Sequence, residues 1–277
     1  MFPFLADLDQ DLRAGLMQQL RTQWTHRSTA LEGNSLTLGE TAFVLGEGLT
    51  VSGKPLRDHE AVVGHARAID LLLDWVTLSQ MITATDLFAL HRAVQTQVVL
   101  DSLAPVGAWK VEPNGTTLVR DGRMQFNDTY ARPGDVPALM AHWLDALNAA
   151  TPADAQSAVA DYARLHAHFV RIHPFADGNG RMARLLANLP LLRRGMPPII
   201  IDNTTRQVYL QVLGDWQMTL GRVAVDDPLT SSPPAQFVAL CQSGWDQTAA
   251  LIAEAHAHQR RRHADGEAAD QTDMPGP

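Results

Sequence analysis

Apolar residues recur at intervals of three and four along most of the chain, the signature of amphipathic helices rather than strands. Leu5, Leu8, Leu12, Leu16, Leu20 and Trp24 form one such stripe. Ser28 to Glu32 reads as a short separate helical segment that stops at Gly33-Asn34, a helix-ending signal. Thr37-Leu38-Gly39-Glu40 has capping-box spacing and predicts another short helix. Val62, Val63, Ala66, Ile69, Leu72, Leu73 and Val76 continue the pattern over 58–79, and 86–99, 136–149 and 153–172 follow it. Beyond Arg184 the period returns over 204–220 and 234–258, after a break at Gly195-Met196-Pro197-Pro198. In the last of these helices the seam Phe237, Leu240, Cys241, Trp245 and Leu251 is expected to pack on the core.

One region breaks the rule. Trp109-Lys110-Val111, Pro113-Asn114-Gly115 and Thr116-Thr117-Leu118-Val119 together predict a β-hairpin within about 107–126, because Asn-Gly suits turns that need positive φ. Asp121-Gly122 offers a second turn. From Arg260 onward the chain is polar and holds Gly, Pro and mixed charge, so 260–277 is expected to be a disordered tail.

Composition narrows the function. The 277 residues are 45% hydrophobic and 19% charged, as in folded soluble proteins. Twenty-two Lys+Arg against 30 Asp+Glu give a net charge of −8, which disfavours nucleic acid and anionic membranes as partners. Cys241 is the only cysteine, so no disulfide framework or cysteine zinc cluster exists. No stretch has the apolar length of a membrane span, and the first residues lack a basic leader region. A cytoplasmic, non-secreted protein is the expectation.

The candidate chemistry lies in His173-Pro174-Phe175-Ala176-Asp177-Gly178-Asn179-Gly180-Arg181-Met182-Ala183-Arg184. Pro174 should end a helix at Ile172, because it disfavours helical geometry in the residue before it. Gly178 and Gly180 let the next loop bend so that its N–H groups converge at the start of a new helix near 179–181, an anion cradle. Arg181 and Arg184 sit three apart on that helix and can reach one side of its first turns. Two cations at a helix N-terminus oppose its dipole unless an anion is present. Asp177 offers a hard carboxylate oxygen suited to Mg²⁺, and His173 can accept a proton near neutral pH.

This stretch resembles the signature of Fic-domain proteins, His-x-Phe-x-(Asp/Glu)-Gly-Asn-Gly-Arg-x-x-Arg, and every specified position matches. The likeness extends to Tyr162, His166 and Phe169 before it and to Pro197-Pro198-Ile199 and Tyr209 after it, covering roughly 58–220. The resemblance implies a mainly α Fic fold, a helical bundle with a small β-hairpin flap over the active site. It divides the chain into an N-terminal helical region (1–57), a Fic core (58–220), a C-terminal helical extension (221–259) and the tail. It further implies transfer of AMP from ATP to a Ser, Thr or Tyr hydroxyl of a protein. His173 would take the hydroxyl proton, and Asp177 would hold Mg²⁺. Gly178, Asn179 and Gly180 would cradle the α and β phosphates, Arg181 would bind the β phosphate, and Arg184 the γ. Phe175 would anchor the loop. The flap, through Val111, Thr116, Thr117 and Leu118, would dock an extended target by backbone pairing.

Ser28-Thr29-Ala30-Leu31-Glu32-Gly33 resembles the family's inhibitory motif, (Ser/Thr)-x-x-x-Glu-(Gly/Asn), here N-terminal to the core. The resemblance implies that Glu32, with Ser28 one turn earlier, occupies Arg184 and silences the resting enzyme. Alternatives are removal of AMP, with Glu32 positioning a water; transfer of phosphate, UMP or phosphocholine; and, from another class, a catalytically silent binding module. Phosphate transfer fits less well, because that branch usually carries lysine where this chain has Gly180. Self-modification and homo-oligomer formation stay open.

Overall fold

The computed structural model describes residues 2–96, 101–120, 122–227 and 229–272. Only the part of the first apolar stripe from Leu12 to Trp24 lies in a helix, α1, Gln10–Ala30, with Leu16, Leu20 and Trp24 buried. Leu5 ends a short 3₁₀ turn, Pro3–Leu5, and Leu8 lies in the connection before α1, because Asp7 breaks the path with φ +64°. The Ser28–Glu32 segment is therefore not a separate helix. No breaker separates Trp24 from Ala30, so Ser28 lies in the last turn of α1, and Glu32 follows in a turn closed by Gly33 at φ +94°. Thr37 makes the expected capping box with Glu40 and opens α2, Leu38–Glu47.

Helices α3 (Leu56–Leu78), α4 (Ala84–Val94), α5 (Val136–Ala149) and α6 (Ala155–Ile172) follow the sequence periodicity. The last part of the predicted 86–99 helix, 97–99, lies outside the described residues. α6 is the central element: twelve of its residues are buried, and it packs against α5, α7, α8 and α10. α7 (Asn179–Leu186) and α8 (Leu189–Arg193) follow in quick succession, then α9 (Arg206–Leu220) and α10 (Ala235–Thr272). One apolar core draws on all of these except α2, from Leu5 to Cys241; of the α10 seam, Phe237 and Cys241 are fully inside it, while Leu240, Trp245 and Leu251 pack against it partly buried.

Two expectations are corrected. The hairpin pairs β1 (Thr116–Arg120) with β2 (Arg123–Asn127) antiparallel, Thr116 opposite Asn127 and Arg120 opposite Arg123. The strands thus reverse between Arg120 and Arg123, where Gly122 has φ +72°; Asp121 lies outside the described residues. Asn114-Gly115 is not that turn. The Asn114 side chain accepts from Lys110 Nζ at 2.7 Å and donates to the Phe175 carbonyl at 2.8 Å, while Lys110 N–H donates to Pro174 O at 2.9 Å. These bonds tie 109–115 to the 173–180 loop as an irregular strap, and Val111 lies in it rather than on a strand.

The second correction concerns the tail. Helix α10 continues through Thr272, so 260–272 is helical, and 273–277 lies outside the described residues. Ala264, Glu267, Ala268 and Ala269 are helix formers that outweigh Gly266. Arg262 also pairs with Asp11 at 2.8 Å and Asp9 at 3.4 Å, while Gln259 accepts from Asp9 N–H, so α10 grips the start of α1.

Candidate active site

α6 stops where Pro174 requires it. His173 caps the helix at φ +54°, a left-handed conformation uncommon outside glycine, and its N–H still reaches Phe169 O at 2.9 Å. The turn swings the imidazole so that Nδ1 lies 3.1 Å from Val170 O, and Tyr130 stacks on the ring at 3.9 Å. A carbonyl only accepts, so Nδ1 carries the proton in the neutral ring and Nε2 keeps its lone pair. Burial, with a smaller push from the Lys110 cation, holds His173 down to about 3, so the ring is neutral at physiological pH. Lys110 itself is 2% exposed, and burial with the nearby Arg222 charge lowers it to about 7.

Phe175 anchors the loop, as its position in the motif implies. It is fully buried, stacked on His91 at 4.0 Å and packed against Trp109 at 5.3 Å and Phe169 at 6.3 Å. The Asn179 side chain closes the loop from inside, accepting from Phe175 N–H at 2.9 Å and donating to Phe175 O at 2.8 Å. Its amide is therefore committed to loop shape. His91 accepts from Gly107 N–H through Nδ1, so Nε2 is the donor to Asp177 O at 3.0 Å.

Gly178, at φ +78°, opens α7, and the two arginines of that helix find different partners. Arg181 bonds Val94 O at 3.2 Å and Gln95 Oε1 at 3.4 Å, and lies 3.6 Å from Asp177. The Asp177 carboxylate is 81% exposed and accepts from Gln95 Nε2 at 2.8 Å. Partial desolvation by the surrounding loop raises its pKa, but the Gln95 hydrogen bond and the Arg181 charge outweigh that and the net direction is down. Arg184 points inward and is 2% exposed: it donates to Ser28 Oγ, Ser28 O, Tyr209 Oη and, at 2.5 Å, Glu32 Oε1. A Cβ built on Gly180 would run into that Glu32 oxygen and come within 3.0 Å of Arg184 Nη1. The carboxylate thus sits against the glycine cradle and neutralises the buried Arg184 charge, which lies in the last turn of α7 rather than at its N-terminus.

A cavity of about 340 Å³ joins these parts, lined by Glu32, Gly180, His173, Tyr130, Thr116 and Thr117 among others. Thr116 and Thr117 of the flap therefore border the same cavity as the base and the cradle, with Leu118 next on the same strand. Val111 is half exposed and outside this cavity lining. Sequence reasoning missed Tyr130, Lys110, Gln95, His91 and Asn114. Asn114 imitates a turn residue, and the others lie outside the motif with no spacing signal to mark them.

The buried histidines give the fold a pH limit. His91 and His168 are pushed down by burial to about 4, and His173 to about 3, against about 6.5 in an unfolded chain. Below pH 6.5 the unfolded state binds protons that the folded state refuses, so stability is full above that value and falls as pH drops toward 4. His91 and His168 should each cost about 2 kcal/mol by pH 5, and His173, which is only partly buried beside the cavity, acts in the same direction with less. Thermal melts from pH 8 to 5 should show a plateau above 7 and a steep fall below 6. A midpoint at pH 5 equal to that at pH 7 would contradict the buried, neutral assignment.

Residues 81–191 match the Fic/DOC family. The chain is 34% identical over 201 residues to protein adenylyltransferase fic-1 of Caenorhabditis elegans, covering 70% of this chain and 36% of that protein. It is 32% identical over 205 residues to protein adenylyltransferase Fic of Drosophila melanogaster, covering 69% and 36%. The chain thus spans just over a third of the length of the curated relatives it matches. A Fic domain containing signaling protein from Bacteroides thetaiotaomicron superposes with a TM-score of 0.72 at 28% identity, over 92% of this chain and 91% of that one. A fragment of Fic-1 from C. elegans gives 0.64 at 25% identity, over 90% and 68%. The fold is the Fic fold: a helical bundle with a two-stranded hairpin beside the loop that precedes α7. The chain is a Fic-domain protein.

Proposed function

We propose that the protein is a protein adenylyltransferase held in a resting state by Glu32. A single observation carries this reading: one cavity brings together a histidine whose Nδ1 is committed to a carbonyl, a glycine-lined helix N-terminus and the flap threonines. In the reaction a target Ser, Thr or Tyr hydroxyl attacks the α phosphorus of ATP. The bond between that phosphorus and the bridging oxygen breaks, pyrophosphate leaves, and His173 Nε2 takes the hydroxyl proton. The backbone N–H groups of 178–180 and Arg181 hold the phosphates, since phosphoryl chemistry asks mainly for positioning and charge neutralisation. Arg184 serves the γ phosphate once Glu32 leaves it.

Asp177 suits Mg²⁺: it is ionised, exposed and an oxygen donor, and one carboxylate with phosphates is the usual way this ion is held. When bound, Mg²⁺ would supply charge neutralisation across the phosphates. No group of three or more metal-ligating side chains occurs among the described residues, and such a shared site does not need one. Among the described residues no helix is long and apolar enough to cross a membrane. We place the enzyme in the cytoplasm, where the lone, buried Cys241 stays reduced. Its partner is a protein bearing the hydroxyl, which includes a second copy of this chain. AMP removal is the second reading, favoured by the position of the 41% exposed Glu32 carboxylate on the same cavity as His173.

The test uses ATP labelled at the α or the γ phosphorus, with Mg²⁺ and the Glu32→Gly protein. Label from the α position should stay on protein through denaturing electrophoresis, and label from the γ position should not. Transfer of γ label would make the enzyme a kinase. No label from either would overturn the adenylyltransferase reading, and release of AMP from a pre-modified target would then favour the second.

A further inference from the structure

The motif supplies His173 and Gly180 to the cavity lining, and Tyr130, outside the motif, lines it as well. Its ring lies on the His173 imidazole, with centroids 3.9 Å apart and planes 13° from parallel. Its hydroxyl makes a 2.8 Å hydrogen bond with the hydroxyl of Thr116, the first residue of β1. Its carbonyl accepts from Arg222 Nη1 at 2.9 Å, and the next residue, Ala131, donates to Ile172 O at the end of α6. Tyr130 is 4% exposed, so the ring has little freedom to leave this arrangement. Lys110 Nζ lies 5.9 Å from the same ring, within reach of a cation–π attraction.

These contacts form a continuous route from flap to base. The rest of the hairpin reaches outward, with Met124 82% exposed and Phe126 64% exposed, so its placement depends on its root. At that root Thr116 pairs with Asn127, which donates to Gln217 of α9 at 3.0 Å, while Thr116 itself bonds Tyr130. The Asn127 bond fixes the hairpin to the scaffold. The Thr116 bond fixes it to the group stacked on the histidine.

We propose that Tyr130 is a positioning residue that sets the flap and the His173 ring in one register, so that a target docked on β1 presents its hydroxyl to Nε2. This rests on the adenylyltransferase reading above and adds to it a residue outside the signature motif. Stacking restrains the ring plane, and the hydroxyl bond carries strand position to that plane. Misplacement of reacting groups by a fraction of an ångström to one ångström is costly in rate, so a loose register appears in kcat rather than in substrate binding.

The experiment uses the Glu32→Gly full chain, labelled ATP and whichever protein substrate it labels, itself included. Tyr130→Phe and Thr116→Val each remove the hydroxyl bond and keep the packing. Each should lower kcat about fivefold with KM for ATP unchanged. Combined, they should again give about fivefold rather than about 25-fold, because both cut one bond. Tyr130→Leu also removes the stack and should fall further, with Tyr130→Phe standing as the conservative rescue. Hydrogen exchange provides a reading without activity: Tyr130→Phe should speed exchange in β1 and leave α6 and α7 unchanged. Multiplicative losses, an unchanged kcat in both single variants, or unchanged β1 exchange would each overturn the proposal. If the parent labels nothing while β1 exchange still responds, the register survives and the reaction assignment fails.

Discussion

Replacing Glu32 by glycine should raise labelling from ATP by a factor of tens to about a hundred. Arg184 is almost wholly enclosed, and its donors are taken by Ser28, Tyr209 and Glu32. Only the Glu32 bond involves an opposite charge, and only that carboxylate lies against Gly180, where the phosphate chain would enter. An incoming γ phosphate therefore competes with a preformed charge-assisted bond. Breaking a buried pair by losing one partner costs about 3–5 kcal/mol. Glu32 is 41% exposed, and solvent reduces the bias to about 2–3 kcal/mol, or roughly 30- to 150-fold in population. The variant should remain folded, because Ser28 and Tyr209 still hold the guanidinium. Glu32→Gln, which keeps the shape and loses the charge, should fall between the two. Equal labelling by wild type and Glu32→Gly, in samples that bind ATP equally, would remove Glu32 from any inhibitory role.

That pair also shows how far a sequence can be read. The Ser28/Glu32 spacing is local and visible, but its partner lies 152 residues away, and only the packing of α1 beside α7 brings them together. The 173–184 stretch is legible because its chemistry is contiguous: proline ends one helix, glycines turn the loop and arginines open the next. Asn114-Gly115 misleads for the opposite reason. Its turn propensity is real, yet bonds from Asn114 to Lys110 and Phe175 recruit it into a strap, and Gly122 takes the hairpin turn instead. At the C-terminus local polarity suggested disorder, whereas Arg262 finds Asp9 and Asp11 at the far end of the chain and α10 persists. Tyr130 and Lys110 carry no pattern of their own. They matter through what they touch, which is tertiary information.

Replacing His173 by alanine in the Glu32→Gly background should lower labelling by about 10²–10⁴-fold, the usual range for a positioned acid or base. The geometry gives the ring one task. Val170 O fixes the Nδ1 proton, Tyr130 fixes the plane, and Nε2 is left as an acceptor. In the free protein burial and the Lys110 charge hold the ring far less basic than usual, at about 3. A bound polyphosphate brings negative charge beside it and must raise that basicity, so proton acceptance is strengthened when the nucleotide is in place. Nucleotide affinity should stay within about twofold, since α7, Arg181 and Arg184 are untouched. Alanine also disfavours the left-handed conformation at φ +54°, so a loss seen with alanine alone has two explanations. His173→Asn separates them, because asparagine tolerates that conformation but supplies no base. Both variants should be inactive while binding ATP like their parent. Labelling by the asparagine variant above a tenth of the parent level would mean that His173 shapes the loop and that some other group, or the solvent, takes the proton.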